Sequence, residues 1–128
     1  MRALVFPVLG ALAFASCSIP GTPATRVVTR MRLVPPAPVV ETETIIELGL
    51  FDDLGKELAG ARLRVEAHMK HPGMAPVISQ AVDEGNGNYI VRLRFSMAGE
   101  WVLQLKGELA DRRTIDRRLN EVSVRPVG

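Results

Sequence analysis

The sequence predicts an all-β domain, with antiparallel strands packed as a sandwich, that follows an N-terminal export signal and a proline-rich tether. Short segments alternate between apolar and polar residues, and glycine, proline or aspartate residues bound most of them. One polar and one apolar face per segment is typical of antiparallel sheets that cover a core on one side only. The predicted organisation is a signal peptide at 1–16, a tether at 17–38 and a β-sandwich at 39–128.

The N-terminal segment has the pattern of a lipoprotein signal peptide. An uncharged apolar run at 3–15 follows Arg2; it is too short to span a bilayer as a helix and has a typical length for a signal-peptide core. The run ends in FASC, which resembles the lipobox of bacterial lipoproteins, although Phe14 stands where an aliphatic residue is usual. We therefore expect cleavage before Cys17 and acylation of its thiol, which would anchor the chain to a membrane. A signal peptide without lipidation is the alternative.

The segment 18–38 is predicted to be an extended tether, because it contains five prolines and keeps no regular apolar period. The residues VVTRMRLV within it leave open an edge strand. Cleavage before Cys17 removes one base and no acid, so the formal charge falls from +2 to +1. Such a nearly neutral chain is a poor candidate for nucleic-acid binding. Cys17 is the only cysteine, which excludes an internal disulfide.

The strands of the domain are predicted from residues that alternate in parity. Phe95 and Trp101 are the expected centre of an otherwise aliphatic core, and Gly85 and Gly87 predict a tight turn between two strands. The predicted inward-facing residues of the main strands are Ile46, Leu48 and Leu50; Leu63, Val65, Ala67 and Met69; Tyr89, Val91, Leu93 and Phe95; and Trp101, Leu103 and Leu105.

The C-terminal segment gives two signals. Ile115, Leu119 and Val122 have helical spacing, whereas Val122 and Val124 alternate as in a strand. A strand with a bulge near Asn120 accounts for both signals, and a short helical turn is the competing interpretation.

Three stretches together resemble the YtkA-like family, which also includes the FixH-type proteins. They are KELAGARLRVEAHM, AHMKHPGMAPV and GNGNYIVRLRFSMAGEWVLQL, and the resemblance runs from about Thr44 to Gly107. Ala98 departs from the commonest pattern, which has proline before the following glycine. The resemblance implies an immunoglobulin-like β-sandwich outside a membrane, in a setting where copper handling and respiratory-oxidase assembly recur.

His68, His71, Met74 and Met97 are the candidate metal ligands. Thioether sulfur is a soft neutral donor that suits Cu(I), and imidazole binds either copper oxidation state. The two histidines flank a strand end, Pro72 and Gly73 turn the chain after them, and Met97 ends another strand. If these strand ends meet at one pole of the sandwich, two imidazoles and two thioethers converge on a copper ion.

Each of these residues also has an interpretation without metal. His68 falls on the polar face of its strand, where it would be a solvated residue beside Glu66, and His71 would hydrogen-bond a carbonyl of its own loop. Met97 shares parity with Phe95 and would then be a core residue. Met69 shares parity with core residues and is not predicted to be a ligand.

The sequence carries no set of residues typical of an active site. No serine is placed beside the histidines by any pattern, no paired carboxylates stand out, and there is no glycine-rich phosphate loop. We therefore predict a protein that is not an enzyme, held in the cell envelope by an acyl anchor and facing the periplasm or exterior. Its predicted function is copper binding. The alternative is a structural or interaction module with a protein partner in the envelope and no metal.

Overall fold

The computed structural model describes residues 26–128, so the predicted signal peptide and Cys17 lie outside the described residues. Every regular element in this part of the chain is a β-strand, which confirms the predicted fold class. No helix within 26–128 is long and apolar enough to cross a membrane. The strands are β1 (Val28–Val34), β2 (Glu43–Phe51), β3 (Arg62–Met69), β4 (Val77–Gly85), β5 (Asn88–Arg94), β6 (Gly99–Glu108) and β7 (Thr114–Val124).

The seven strands pair in the order β1-β2-β5-β4-β3-β6-β7, and every neighbouring pair is antiparallel. The long strand β4 joins the two layers of the sandwich. Its first half, 77–80, pairs with β3, whereas 81–85 pairs with β5. Because one strand belongs to both layers, the two sheets form a continuous hydrogen-bonded surface.

The core fills the space between the layers with the residues that parity predicts. Phe95 and Trp101 are fully buried, and their ring centroids lie 5.3 Å apart in an edge-to-face arrangement. The other buried apolar residues on the main strands are Ile46, Leu48, Leu50, Leu63, Val65, Ala67, Tyr89, Val91, Leu93, Leu103, Leu105, Ile115, Val122 and Val124.

The irregularities of the strands follow their sequences. The register between β6 and β7 shifts at one point, where the single residue Leu103 of β6 lies opposite two residues of β7, Leu119 and Asn120. This is the predicted bulge, and the segment forms no helical turn. Asn86 and Gly87 form the two-residue turn between β4 and β5, both with positive φ. Gly87 cannot be replaced without strain, because a Cβ there would lie 2.7 Å from the Leu50 carbonyl oxygen.

The predicted boundary of the tether differs from the structure. The sequence predicts residues 28–34 to be part of the tether at 17–38, but they form β1 and pair along their whole length with β2. The edge strand that VVTRMRLV left open is therefore present. The apolar alternation of this segment is weak because no residue of β1 is fully buried.

Candidate metal site

The candidate ligands lie at one end of the sandwich, which we call the His/Met end. It comprises the end of β3, the loop 70–76, the turn 95–98 and the start of β6. These segments are neighbours because β3 and β6 are adjacent and antiparallel, with Met69 opposite Trp101. The backbone N–H of Lys70 continues this pairing by donating to the carbonyl of Glu100 at 3.4 Å. The topology therefore brings the two stretches with candidate donors to the same end of the molecule.

Two of the candidate sulfurs belong to exposed side chains. Met74 is 40 % exposed and Met97 is 45 % exposed, so neither is a core residue, and the core interpretation of Met97 is wrong. The backbone of Met97 is held in place, since its carbonyl accepts a hydrogen bond of 2.9 Å from the Trp101 indole N–H. Met69 packs against the core, with its methyl group beside Gly99, and this agrees with its exclusion from the predicted ligands.

His68 lies near the end of β3 on the outer surface of the sheet, and its side chain is 39 % exposed. Its Nε2 atom lies 3.1 Å from Oε1 of Glu66. A carboxylate only accepts hydrogen bonds, so Nε2 of the neutral ring must carry the proton in this pair. The lone pair of His68 is then on Nδ1, the nitrogen that is not occupied by Glu66.

Glu66 is a member of the site that the sequence did not reveal. Its parity places it on the polar face of β3, yet its side chain is only 10 % exposed. Three cationic or basic neighbours surround the carboxylate: Arg64 at 2.9 Å, His68 at 3.1 Å and Lys106 at 3.5 Å. The only signal in the sequence was the Arg-x-Glu-x-His alternation, which is also typical of an ordinary solvated strand face.

The neighbours of Glu66 keep it ionised at neutral pH. The hydrogen bond from Arg64 is the largest contribution, and it lowers the pKa of Glu66 below the ordinary glutamate value. Burial of the carboxylate opposes this, while His68 and Lys106 lower the pKa further. A carboxylate that binds the distal nitrogen of a histidine is the arrangement that commonly orients metal-binding histidines.

The loop 70–76 carries His71 and Met74, and both are exposed. An ion pair holds its first residue, since Lys70 Nζ lies 2.8 Å from Oε2 of Glu121 on β7. Gly73 has a φ of 85°, a conformation that residues with a Cβ rarely adopt, so the Pro72-Gly73 pair turns the loop. The loop is thus tied at its base, and its two candidate donors face solvent.

The donor set fits a soft metal ion better than a hard one. Within residues 26–128, no three His, Cys, Asp or Glu side chains converge as a metal-binding group. A site at the His/Met end would consequently depend on methionine sulfur together with imidazole, a combination that matches Cu(I).

One comparison with a solved structure agrees with this architecture. The Lin-41 filamin domain has 18 % sequence identity and a TM-score of 0.57, over 80 % of this chain and 94 % of that chain. At this identity the likeness shows the immunoglobulin-like fold alone. MtrC from Shewanella baltica OS185 gives a TM-score of 0.49 at 11 % identity, over 79 % of this chain and 22 % of that one.

A search of curated protein sequences gave no match. The profile of the YtkA-like family matches residues 25–106, which is more than half of the chain and includes β1 and the whole candidate site. The chain therefore belongs to the YtkA-like family.

Proposed function

We propose that the chain is an exported, membrane-anchored lipoprotein whose β-sandwich binds or handles copper through His68, His71, Met74 and Met97. The observation that supports this most is the exposure of both candidate methionines at the end of the sandwich that also carries both histidines. An exposed thioether can bind a metal ion that arrives from solvent, whereas a thioether packed in a core cannot. Coordination of a soft metal ion would give those sulfurs a role.

The contacts of each candidate ligand indicate how it would bind copper. His68 would bind through Nδ1, because Glu66 holds Nε2. His71 and Met74 would come from the loop, and Met97 from the turn that Trp101 holds through its indole N–H. These side chains would hold copper for storage or transfer through thioether sulfur and imidazole nitrogen, the donors that suit Cu(I).

The cellular setting that we propose comes from the N-terminal sequence and the family. Membership of the YtkA-like family supports a domain of the envelope type. The FASC stretch supports acylation at Cys17, which would hold the domain at a membrane and facing the periplasm or exterior. Mass spectrometry of the N-terminal peptide from membranes tests this part. A diacylglyceryl group on Cys17 is expected, and an unmodified thiol or an uncleaved N-terminus would refute it.

The copper assignment is tested by titrating Cu(I) into the fragment that begins at Ser18, in competition with a chromophoric chelator. One site per chain is expected. Replacing His68, His71 and Met74 with Ala should abolish it, while the metal-free Tm stays within a few degrees because these residues are outside the core. Met31→Leu, on β1, is a matched control that alters a methionine elsewhere and should leave the titration unchanged. Unchanged copper uptake by the triple variant would overturn the assignment.

The second candidate is a structural or interaction module without metal, and one observation favours it. Ile78 and Val82 on the outer face of β4 are 53 % and 60 % exposed, which places two exposed apolar side chains on this strand, one on each side of Gln80. This function predicts no stoichiometric copper and a protein partner recovered by crosslinking in the envelope. Crosslinks that disappear in the double variant Ile78→Ser and Val82→Ser, together with a flat copper titration, would favour it over the first. Neither proposal involves catalysis.

A further inference from the structure

The first described residues and the candidate metal site lie at opposite ends of the sandwich. β1 begins with Val28 opposite Phe51, at the end of β2, and finishes with Val34 opposite Ile45, near the start of β2. The start of β2 belongs to the His/Met end, since Glu43 pairs with Arg94 just before the turn 95–98. The chain therefore enters the domain at the end that is distant from the candidate ligands.

We call the entry side the opposite end. It comprises the start of β1, the turn 52–56, the hairpin turn 85–88 and the turn 109–113. Contacts connect these segments. The Leu50 N–H donates to the Gly87 carbonyl, and the Leu58 N–H donates to the Leu50 carbonyl. Gly60 lies beside the Ala110 side chain. β1 has 7 residues, so at about 3.3 Å per residue it separates the two ends by roughly 23 Å before the loops are added.

The chain between the predicted anchor and the domain is short. Only eight residues separate Cys17 from Arg26, the first described residue. A fully extended chain of this length spans at most about 30 Å. It would have to be nearly straight, and to run back along the whole domain, for the His/Met end to touch the membrane. The opposite end can rest on the membrane without any extension.

We propose that, in the anchored lipoprotein, the opposite end faces the bilayer and the His/Met end points away from it into the aqueous compartment. Copper exchange then takes place with a partner that arrives from the aqueous side, such as a soluble carrier with thiolate or thioether donors, and not with a protein buried in the same membrane. This inference rests on both the acyl anchor and the copper site of the proposed function.

One exposed apolar side chain at the opposite end suits this orientation. Leu54, at the tip of the turn 52–56, is 88 % exposed, more than any other large apolar residue described. The turn is held by Asp52, whose Oδ1 accepts the backbone N–H groups of Leu54 at 2.9 Å and Lys56 at 2.8 Å. A leucine that a rigid turn presents at this end is well placed to contact the interfacial region of a bilayer.

The orientation is tested with the full lipidated protein in phosphatidylcholine vesicles that contain a lipid with a nitroxide on its headgroup. Two variants, Leu54→Cys and Ser96→Cys, each carry one reactive thiol, because the acylated Cys17 has none; both positions are exposed. Each is labelled with the same small fluorophore. We expect quenching at position 54 to be at least threefold stronger than at position 96. Equal quenching, or stronger quenching at position 96, would overturn the orientation.

This experiment separates the orientation from the anchor. If Cys17 is not acylated, the protein does not float with the vesicles, and that result refutes the anchor itself and with it this inference. If the protein floats with the vesicles, the anchor is present, and the ratio of fluorescence quenching at positions 54 and 96 tests the orientation alone.

A second measurement tests the aqueous route. The rate at which the protein takes up Cu(I) from a soluble glutathione complex is compared between the vesicle-bound form and the free fragment that begins at Ser18. An end that faces water predicts rates that agree within threefold. A larger loss of rate on the vesicles would overturn the inference, because it would mean that the bilayer shields the site.

Discussion

The two ends of the sandwich are built in different ways. At the opposite end, buried or partly buried side chains satisfy the backbone of the turns: the Tyr89 hydroxyl donates to Leu58 O at 2.7 Å and accepts from Ala61 N–H at 3.1 Å, and Asp52 closes the turn after β2. At the His/Met end, the side chains with donor atoms are exposed. The opposite end thus carries buried side-chain hydrogen bonds and none of the four candidate ligands, whereas the His/Met end combines exposed candidate ligands with one such bond, from the Trp101 indole to the Met97 carbonyl. Changes at the two ends should therefore separate stability from metal binding.

The largest effect on the free energy of unfolding is expected from Tyr89→Phe at the opposite end. Tyr89 is 1 % exposed, and loss of its hydroxyl leaves the Leu58 carbonyl and the Ala61 N–H without their partner. The free energy of unfolding should fall by about 2 kcal/mol, since an unsatisfied buried group costs on the order of 1–3 kcal/mol. Urea unfolding followed by Trp101 fluorescence measures it. Cu(I) affinity should stay within twofold of the wild type, and a larger change in affinity would mean that the two ends are coupled.

The same hydroxyl predicts a loss of stability in alkali. Burial is the main cause that raises the pKa of Tyr89 above its ordinary value, and the charge of Asp83 adds to it, while the Ala61 N–H opposes it. Because folding raises this pKa, the contribution of the neutral Tyr89 hydroxyl to stability is fully present below the ordinary tyrosine pKa, near 10. That contribution is lost as the pH rises through the pKa of Tyr89 in the folded protein. Tyr89 is the only tyrosine, so tyrosinate absorbance reports its titration directly. Tyr89→Phe should remove this part of the alkaline loss, and an ordinary pKa for Tyr89 would contradict the prediction.

Much of the fold could be predicted because it depends on parity along single strands. The alternation in β3, β5 and β6 identified the buried residues, and the conflict of spacing near Asn120 identified the bulge in β7. The division of β4 between two sheets was not predictable, because it depends on which distant strands pair with each half. The sequence predicts β1 only as an alternative, because an edge strand with no fully buried residue has a weak pattern.

The candidate site could be predicted only in outline. That His68 and Met97 come to one end follows from the pairing of β3 with β6, which the sequence left as a condition because it does not show which strands pair. The burial of Glu66 could not be read from parity, since Arg64 and Lys106 cover the carboxylate from its own strand and from β6. Long cationic side chains can shield a neighbour on the solvent face in this way, and sequence spacing does not show where they lie.

An intermediate effect, on Cu(I) affinity, is expected when Glu66 on β3 is replaced. Glu66→Ala should weaken Cu(I) binding by about tenfold, because removing a carboxylate that orients a histidine ligand typically costs 10- to 100-fold in affinity. Glu66→Gln keeps an oxygen that can accept from His68 Nε2–H, so its affinity should fall between those of the wild type and the alanine variant. The measurement is the competition titration, supported by nitrogen NMR of metal-free protein, which should show the proton of His68 on Nε2.

Glu121→Gln is the matched control for Glu66. It removes an exposed carboxylate that pairs with Lys70 at the base of the same loop and does not contact His68. Its affinity should stay within twofold of the wild type, because exposed ion pairs contribute little. An equal loss of affinity in both glutamate variants would show that net charge, and not the orientation of His68, sets the affinity.

The smallest effect on stability is expected from Met97→Ala, because its side chain is 45 % exposed and leaves no cavity when removed. The free energy of unfolding should change by no more than about 0.5 kcal/mol, the usual range for surface substitutions. The hydrogen bond from Trp101 is retained, since it uses the backbone carbonyl of residue 97. Met69→Ala, at a partly buried position packed against the core, should cost more, toward the roughly 2 kcal/mol at which losses for buried methionines begin. If Met97→Ala lowered the free energy of unfolding as much as Met69→Ala does, the Met97 side chain would contribute to packing. The two ends of the sandwich would then not differ in the role of their side chains, and the comparison between them would fail.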